Sequence, residues 1–241
     1  MSSVAKTRLF LDQPLAEGQT VDLQRDQAHY LTGVMRLVSG DAVAVFDGRS
    51  GEYLAHLGQA GKRSATLVIG PQTAPIRMPP DLWLLFAPIK KARTDFIVEK
   101  AAEMGAARIC PVQTDFTNSE RIRRDRLQAH AVEAAEQCGG TFVPDVDDLR
   151  PLSRLLDHWP EDRRLMFCDE VLAGPVSALP AMPGPWAILI GPEGGFSPAE
   201  RARLHAHPAA HPVSLGPRIL RADTAAVAAL ALWQAALGDW R

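Results

Sequence analysis

Ile188-Leu189-Ile190-Gly191-Pro192-Glu193-Gly194-Gly195-Phe196-Ser197, continued by Pro198-Ala199-Glu200, is the stretch on which the reading of this chain turns. The apolar run from Trp186 to Ile190 reads as a strand that stops at a Gly-Pro-Glu-Gly-Gly turn. Ser197 then suits a helix N-cap, Pro198 the first helical position, and Glu200 the third, from which its side chain reaches back to the cap. A buried strand, a glycine turn and a capped helix predict a ligand site at the carboxyl end of a sheet strand. Three glycines in five residues let the backbone turn tightly and approach a ligand closely.

Outward from this stretch, strand and helix alternate. Leu82 to Phe86, Arg108 to Val112, Leu165 to Cys168 and a short run at Val213 to Leu215 read as further strands. Helices are expected from Asp95 to Met104, with Gly105 as the stop, from Arg124 to Cys138, closed by Gly139-Gly140, and from Pro198. A last helix runs from Thr224 to Leu237, and Val171 to Pro185, with four prolines, reads as a loop. Strands apolar throughout and separated by helices imply a parallel α/β sheet. The last helix is apolar on nearly every side, which implies burial in the core or in a subunit interface.

The first 70 residues differ. Arg8–Leu11, Thr20–Leu23, Ala42–Phe46, Tyr53–Leu57 and Ala65–Ile69 read as short strands, with one helix from Asp26 to Leu37 that places Leu31, Val34 and Met35 on one side. This pattern predicts a small β-rich, barrel-like domain. Four prolines between Pro71 and Pro80 place the boundary there, giving domains 1–72 and 73–241.

Bulk properties narrow the function. The hydrophobic fraction of 46% and charged fraction of 22% are those of an ordinary globular protein. No apolar run reaches membrane-spanning length, and the first residues lack the apolar core of a signal peptide. Cys110, Cys138 and Cys168 are far apart, which fits reduced thiols and a cytoplasmic location. A net charge of −2 gives no chain-wide basic footprint, so any nucleic-acid contact must be local. Gly58-Gln59-Ala60-Gly61-Lys62-Arg63 has neither the spacing nor the hydroxyl of a phosphate loop. His205, His207 and His211 are interrupted by Pro208 and Pro212, which breaks the helical spacing a zinc site would use.

Three motifs join the glycine turn. In Ser214-Leu215-Gly216-Pro217-Arg218-Ile219-Leu220-Arg221-Ala222-Asp223-Thr224, an apolar pair sits on a loop flanked by arginines, which suits a flat ring read at its edge by the backbone. Asp223 or Thr224 also suits capping of the last helix. Lys90, Lys91 and Arg93 crowd the loop after Phe86, where cations suit a phosphate-bearing partner. Arg121-Ile122-Arg123-Arg124-Asp125-Arg126 suits either a phosphate backbone or a solvated helix start.

Taken in order, Lys90…Arg93…Asp95-Phe96-Ile97-Val98-Glu99-Lys100…Glu103-Met104-Gly105, Glu133-Ala134-Ala135-Glu136-Gln137-Cys138, the Gly191–Gly195 turn and Leu215-Gly216-Pro217-Arg218-Ile219-Leu220-Arg221 resemble the RsmE family of the SPOUT superfamily. Arg8-Leu9-Phe10 and His29-Tyr30-Leu31…Val34-Met35-Arg36 are similar to that family's PUA-like RNA-binding domain.

The resemblance implies a SPOUT-type parallel sheet with a C-terminal trefoil knot, a homodimer, and S-adenosyl-L-methionine as cofactor. It also implies methylation of N3 of one uridine in 16S ribosomal RNA of the small subunit. Loops at 85–90, 190–196 and 215–221 would then form the cofactor pocket, with Leu189, Ile190, Gly191, Gly195, Leu215, Gly216, Ile219 and Leu220 in contact. Arg221 would orient or stabilise the uracil and Glu193 would serve as base or fix the turn through hydrogen bonds, while Arg8, Arg36, Lys90 and Arg93 would hold RNA. The sulfonium supplies the electrophile, so no metal is expected. Two positions depart from the family pattern: Asp223, where a Glu is more usual, and Gly140, where a basic residue is expected. Rival readings are a SPOUT enzyme acting on transfer RNA and a non-catalytic ribosome-assembly factor.

Overall fold

The computed structural model describes residues 5, 7–61, 64–119, 121–172, 174 and 179–240. Lys62 and Arg63, from the rejected phosphate-loop reading, lie outside them. The chain forms two compact units, Met1–Met78 with Ala135–Val143, and Pro79–Ala134 with Pro144–Arg241. The division falls six residues beyond the boundary read from the prolines, and the first unit takes in a second segment that composition did not mark.

The first unit contains β1 (Arg8–Phe10), β2 (Thr20–Asp22), α1 (Arg25–His29), β3 (Ala42–Phe46), β4 (Glu52–Ala60) and β5 (Ala65–Ala74). They form one sheet in the order β1-β3-β4-β5-β2. Alternate residues Val43, Val45, Ala55, Leu57, Leu67 and Ile69 turn inward onto Ala28 and Leu31. Pro71 does not end β5. Pairing passes from Ala55↔Ile69 to Tyr53↔Gln72, an irregularity that absorbs the missing amide, beyond the stretch where β2 pairs. The helix expected over 26–37 stops at His29 and continues as a π-helical turn, Tyr30–Val34. That widening rotates the expected apolar face: Leu31 is buried, but Val34 and Met35 face solvent.

Asp47 closes the β3–β4 connection. Its carboxylate accepts from the amides of Leu15, Arg49 and Ser50 and from the Ser50 hydroxyl at 2.6 Å. Burial alone would raise its pKa, but these hydrogen bonds prevail and hold it below the ordinary value. The resulting stabilisation is complete above the unfolded carboxylate range and is lost as pH falls through the lowered folded value.

The second unit carries β6 (Leu82–Phe86), α2 (Lys91–Glu103), β7 (Arg108–Gln113), α3 (Arg124–Cys138, whose last residues belong to the first unit), β8 (Asp145–Val146), β9 (Arg150–Pro151), α4 (Leu152–Asp157), β10 (Arg164–Cys168), β11 (Trp186–Ile190), α5 (Pro198–Ala206), β12 (Ala210–Val213) and α6 (Ala222–Ala236). The sheet runs β12-β10-β11-β6-β7-β8, and every strand pair in it is parallel. β11 is buried at all five positions and β6 at four of five, because helices cover both faces. β12 comes earlier than the expected 213–215, and β8, β9 and α4 had no counterpart in the sequence reading.

α2 begins at Lys91, four residues before the expected start, and ends where Gly105 takes φ +77, a left-handed conformation that glycine tolerates. Gln234, wholly buried in α6, donates to the Met104 carbonyl at that end (2.7 Å). Gln234→Leu is therefore expected to destabilise the fold by about 1–3 kcal/mol, the cost of a stranded buried carbonyl. Urea unfolding with an unchanged slope checks this.

His207 and His211 end on the rings of Trp159 and Trp186, at 5.9 and 5.2 Å. Burial lowers both imidazoles below the ordinary histidine value. The unfolded chain therefore binds protons that the folded chain refuses, so stability falls as pH drops below about 6.5. We expect denaturant stability to rise between about pH 5 and 7. His211→Phe should flatten that rise, and Asp47→Asn should remove a separate loss at lower pH. Curves identical to that of the unsubstituted chain would refute both assignments.

Candidate active site

A cavity of about 310 Å³ opens in the second unit at the carboxyl ends of β10, β11 and β12. Its walls are Cys168–Glu170 and Leu172 after β10, Ile190–Glu193 and Gly195 after β11, and Val213–Gly216 with Arg218–Ala222 between β12 and α6. This is the edge of a parallel sheet where backbone amides and helix starts converge.

The β11 turn is shaped by what packs on it. A side chain at Gly191 would strike the Phe196 ring, which is buried edge-on against Phe167 at 5.2 Å. Gly195 takes φ +71, and a side chain there would collide with the Glu170 carboxylate. α5 starts as read from the sequence: the Ser197 hydroxyl accepts from the Glu200 amide, and the Glu200 carboxylate accepts from the Ser197 amide. The Ser197 hydroxyl also donates to Asp115 at 2.5 Å, and Glu200 accepts from the Asp115 amide, which ties the turn to the end of β7.

The carboxylates in the wall differ in what they touch. Asp169, whose side chain is 1% exposed, meets Arg201 at 3.1 Å and His205 Nε2 at 2.9 Å. Glu170 accepts from Arg201 at 2.5 Å. Glu193 is exposed and has no ion-pair or hydrogen-bond partner among the described residues, and the same holds for the Arg218 and Arg221 side chains. Arg221 is the N-cap residue of α6 and makes no side-chain cap bond, so its guanidinium is free to serve the cavity. Burial pushes the Cys168 thiol up to about 12, so the wall carries a neutral thiol there.

Of the residues expected in the site, Ile190, Gly191, Glu193, Gly195, Leu215, Gly216, Ile219, Leu220 and Arg221 all line the cavity. Two expected contributors are absent from the cavity lining. Leu189 is buried in the core with Leu85, Phe167 and Phe196, because side chains alternate along β11. The 85–90 loop supplies none of the lining residues; Cys168–Glu170 and Leu172 line that side instead. The sequence reading missed Asp169 and Glu170. Two adjacent acids directly after a buried strand were the available signal.

The expected RNA contacts also separate. Arg8 is a structural residue. It pairs with Glu52 at 2.8 Å, donates to the carbonyls of Ala135, Glu136 and Gly140, and covers the Phe46 ring. Four of its five N–H donors are thus engaged inside the first unit. The Gly140 carbonyl is one of its acceptors, which gives that position a role of its own. Arg36 is exposed at φ +57, a left-handed conformation rare in non-glycine residues. Lys90 is exposed as the N-cap of α2, and Arg93 pairs with Asp223 at 3.1 Å. The Asp223 carboxylate is thereby an anchor between α2 and α6.

Comparison with known proteins agrees with this geometry. A model described as an RNA methyltransferase domain matches residues 77–234, and one described as an RNA methyltransferase PUA domain matches residues 23–70. The ribosomal RNA small subunit methyltransferase E of Rickettsia conorii is 28% identical over 93% of each chain. The Synechocystis protein of that name is 31% identical over 88% of this chain and 72% of its own. A crystal structure of the Neisseria gonorrhoeae protein of that name, bound to S-adenosyl methionine, superposes with a TM-score of 0.89 at 28% identity, covering 98% of this chain and 99% of the other. No helix among the described residues is long and apolar enough to cross a membrane. With a domain model covering more than half of its length and full-length relatives that share one name, the chain belongs to the ribosomal RNA small subunit methyltransferase E family of RNA methyltransferases.

Proposed function

We propose that this chain uses S-adenosyl-L-methionine to methylate N3 of one uridine in 16S ribosomal RNA of the small subunit, in the cytoplasm and as a homodimer. The observation that carries this reading is the glycine-walled cavity at the carboxyl ends of β10–β12, in a fold shared with a relative bound to that cofactor. The residues present fit the cofactor. Ile190, Leu215 and Leu220 offer apolar surface for a purine, Gly191, Gly195 and Gly216 offer main-chain groups, and Glu170 offers an acceptor for hydroxyl or ammonium groups. Bound there, S-adenosylmethionine supplies a methyl group on a positively charged sulfur.

The chain's own residues handle the proton and the charge. A uracil N3 must lose its proton before the nitrogen can attack. Asp169 and Glu170 are engaged with Arg201 and His205, so Glu193 is the wall carboxylate open to accept that proton. The resulting uracilate carries negative charge on its carbonyl oxygens, and the free guanidinium of Arg221 is placed to balance it. RNA is held outside the cavity by Arg36 and Lys90, with residues 1–72 serving RNA recognition and 73–241 catalysis. The SPOUT reading adds a trefoil knot in the C-terminal segment. α6 buries Ala226, Ala229, Leu230 and Trp233 against its own unit, while Ala225, Val227, Ala228, Ala231 and Leu232 stay half-covered, an apolar face suited to a second copy.

Mass spectrometry of 16S rRNA nucleosides from a deletion strain tests the substrate. Loss of N3-methyluridine, restored by the intact gene and not by Glu193→Gln, is the expected result. Persistence of the nucleoside would end the substrate assignment, and full restoration by Glu193→Gln would remove the base.

A further inference from the structure

We propose that a second cavity of the catalytic unit is a binding site for the phosphodiester backbone of the RNA strand being methylated. The cavity measures about 350 Å³ and is lined by Ile89, Lys91, Thr94, Ser119, Arg121, Ile122, Arg123, Arg126 and Leu127. It rests on the proposed function and adds to it a place where the strand is gripped.

Four of its residues are cationic in a chain whose net charge is −2. Two of them are already neutralised: Arg126 meets Asp95 at 2.6 Å and Arg123 meets Asp125 at 2.7 Å. Lys91 and Arg121 are exposed and have no side-chain partner among the described residues. Two free cations therefore face one concavity floored by Ile89, Ile122 and Leu127. Such a surface suits a polyanion whose sugars contact the apolar floor while its phosphates meet the rim. A structural role would pair these cations with acids, as the fold has done for Arg123 and Arg126.

The groove's place in the fold connects it to the reaction. Lys91 and Arg93 sit in the first turn of α2. Arg93 binds Asp223, the neighbour of Ala222, which lines the cofactor cavity. One helical turn thus presents Lys91 to the groove and Arg93 to Asp223, the residue next to Ala222 of the cavity wall. A strand that delivers its uridine to that cavity would meet the groove through the start of α2, which the two sites have in common.

The test uses the full chain with purified small ribosomal subunits lacking the methyl group. Lys91→Ala combined with Arg121→Ala should raise KM for the subunits about tenfold or more and flatten the dependence of log affinity on log salt by about 1.4, the value for two single-strand phosphate contacts. Affinity for S-adenosylmethionine, read by calorimetry, should stay the same and verifies folding. The charge-keeping pair Lys91→Arg with Arg121→Lys should preserve the salt slope. An unchanged KM and slope in the alanine pair would overturn the proposal. So would inhibition of subunit binding by inorganic phosphate at constant ionic strength that the alanine pair abolishes, since the groove would then hold a free anion. If the unsubstituted chain transfers no methyl group, the enzymatic reading fails, and the salt slope of subunit binding still decides the groove.

Discussion

Replacing Arg221 by Ala is expected to lower kcat by about 10²–10³-fold, the usual loss when one preorganised donor to a developing anion is removed. Affinity for S-adenosylmethionine should change by less than about threefold, because a group that meets charge only in the transition state leaves ground-state binding alone. The structure makes this a clean experiment. Arg221 is exposed, lines the cavity, and supplies no cap bond to α6, so its truncation removes charge without loosening the helix. Single-turnover methyl transfer at saturating cofactor is the measurement, and Arg221→Lys should recover part of the rate by returning the charge without the fork. An alanine variant as fast as the parent would take Arg221 out of the mechanism.

Gly195→Ala should weaken cofactor binding by about 30-fold or more, equivalent to at least about 2 kcal/mol of strain placed in the wall. The cost has two sources. Alanine is unfavourable at φ +71, and its methyl group would occupy the position of the Glu170 carboxylate. Glu170 cannot yield freely, because Arg201 holds it at 2.5 Å and also holds Asp169. Relief must therefore come from the turn, which shifts the Gly191–Gly195 wall. Calorimetry with S-adenosylmethionine on a variant shown to be folded reads the effect, and parental affinity would mean that the wall is more pliant than its packing implies.

How far the sequence could be read followed from where the information lay. β6 and β11 were placed to the residue because apolar runs bounded by turn residues have one stable location, between two helical layers. The α5 start was legible because Ser197, Pro198 and Glu200 carry its cap chemistry in their side chains. The π-helical turn at Tyr30–Val34 was not, since its apolar spacing also fits an ordinary helix; the widening that exposes Val34 is decided by packing in the first unit. β8 and β9, each two residues long, leave no periodic signal, and their edge pairing to β7 is a tertiary event. In the site, nine wall residues could be named in advance because they cluster in two segments with distinctive turns. Asp169 and Glu170 were missed, because two adjacent acids after a strand point to the site only once β10 is seen to lie beside β11. Arg8 entered the RNA-holding set through the resemblance of Arg8-Leu9-Phe10, and only its carbonyl partners reveal that it braces the first unit.

The glycines of the cavity wall bear on the design of inhibitors. Gly191, Gly195 and Gly216 present backbone carbonyls, which every amino acid carries, so a compound that donates hydrogen bonds to them addresses atoms that point mutation cannot delete. A resistant strain would have to change the shape of the turn instead, and at Gly191 and Gly195 the nearest obstacles are Phe196 and Glu170. Escape from such a compound would therefore fall on the same contacts that keep the catalyst's own pocket open.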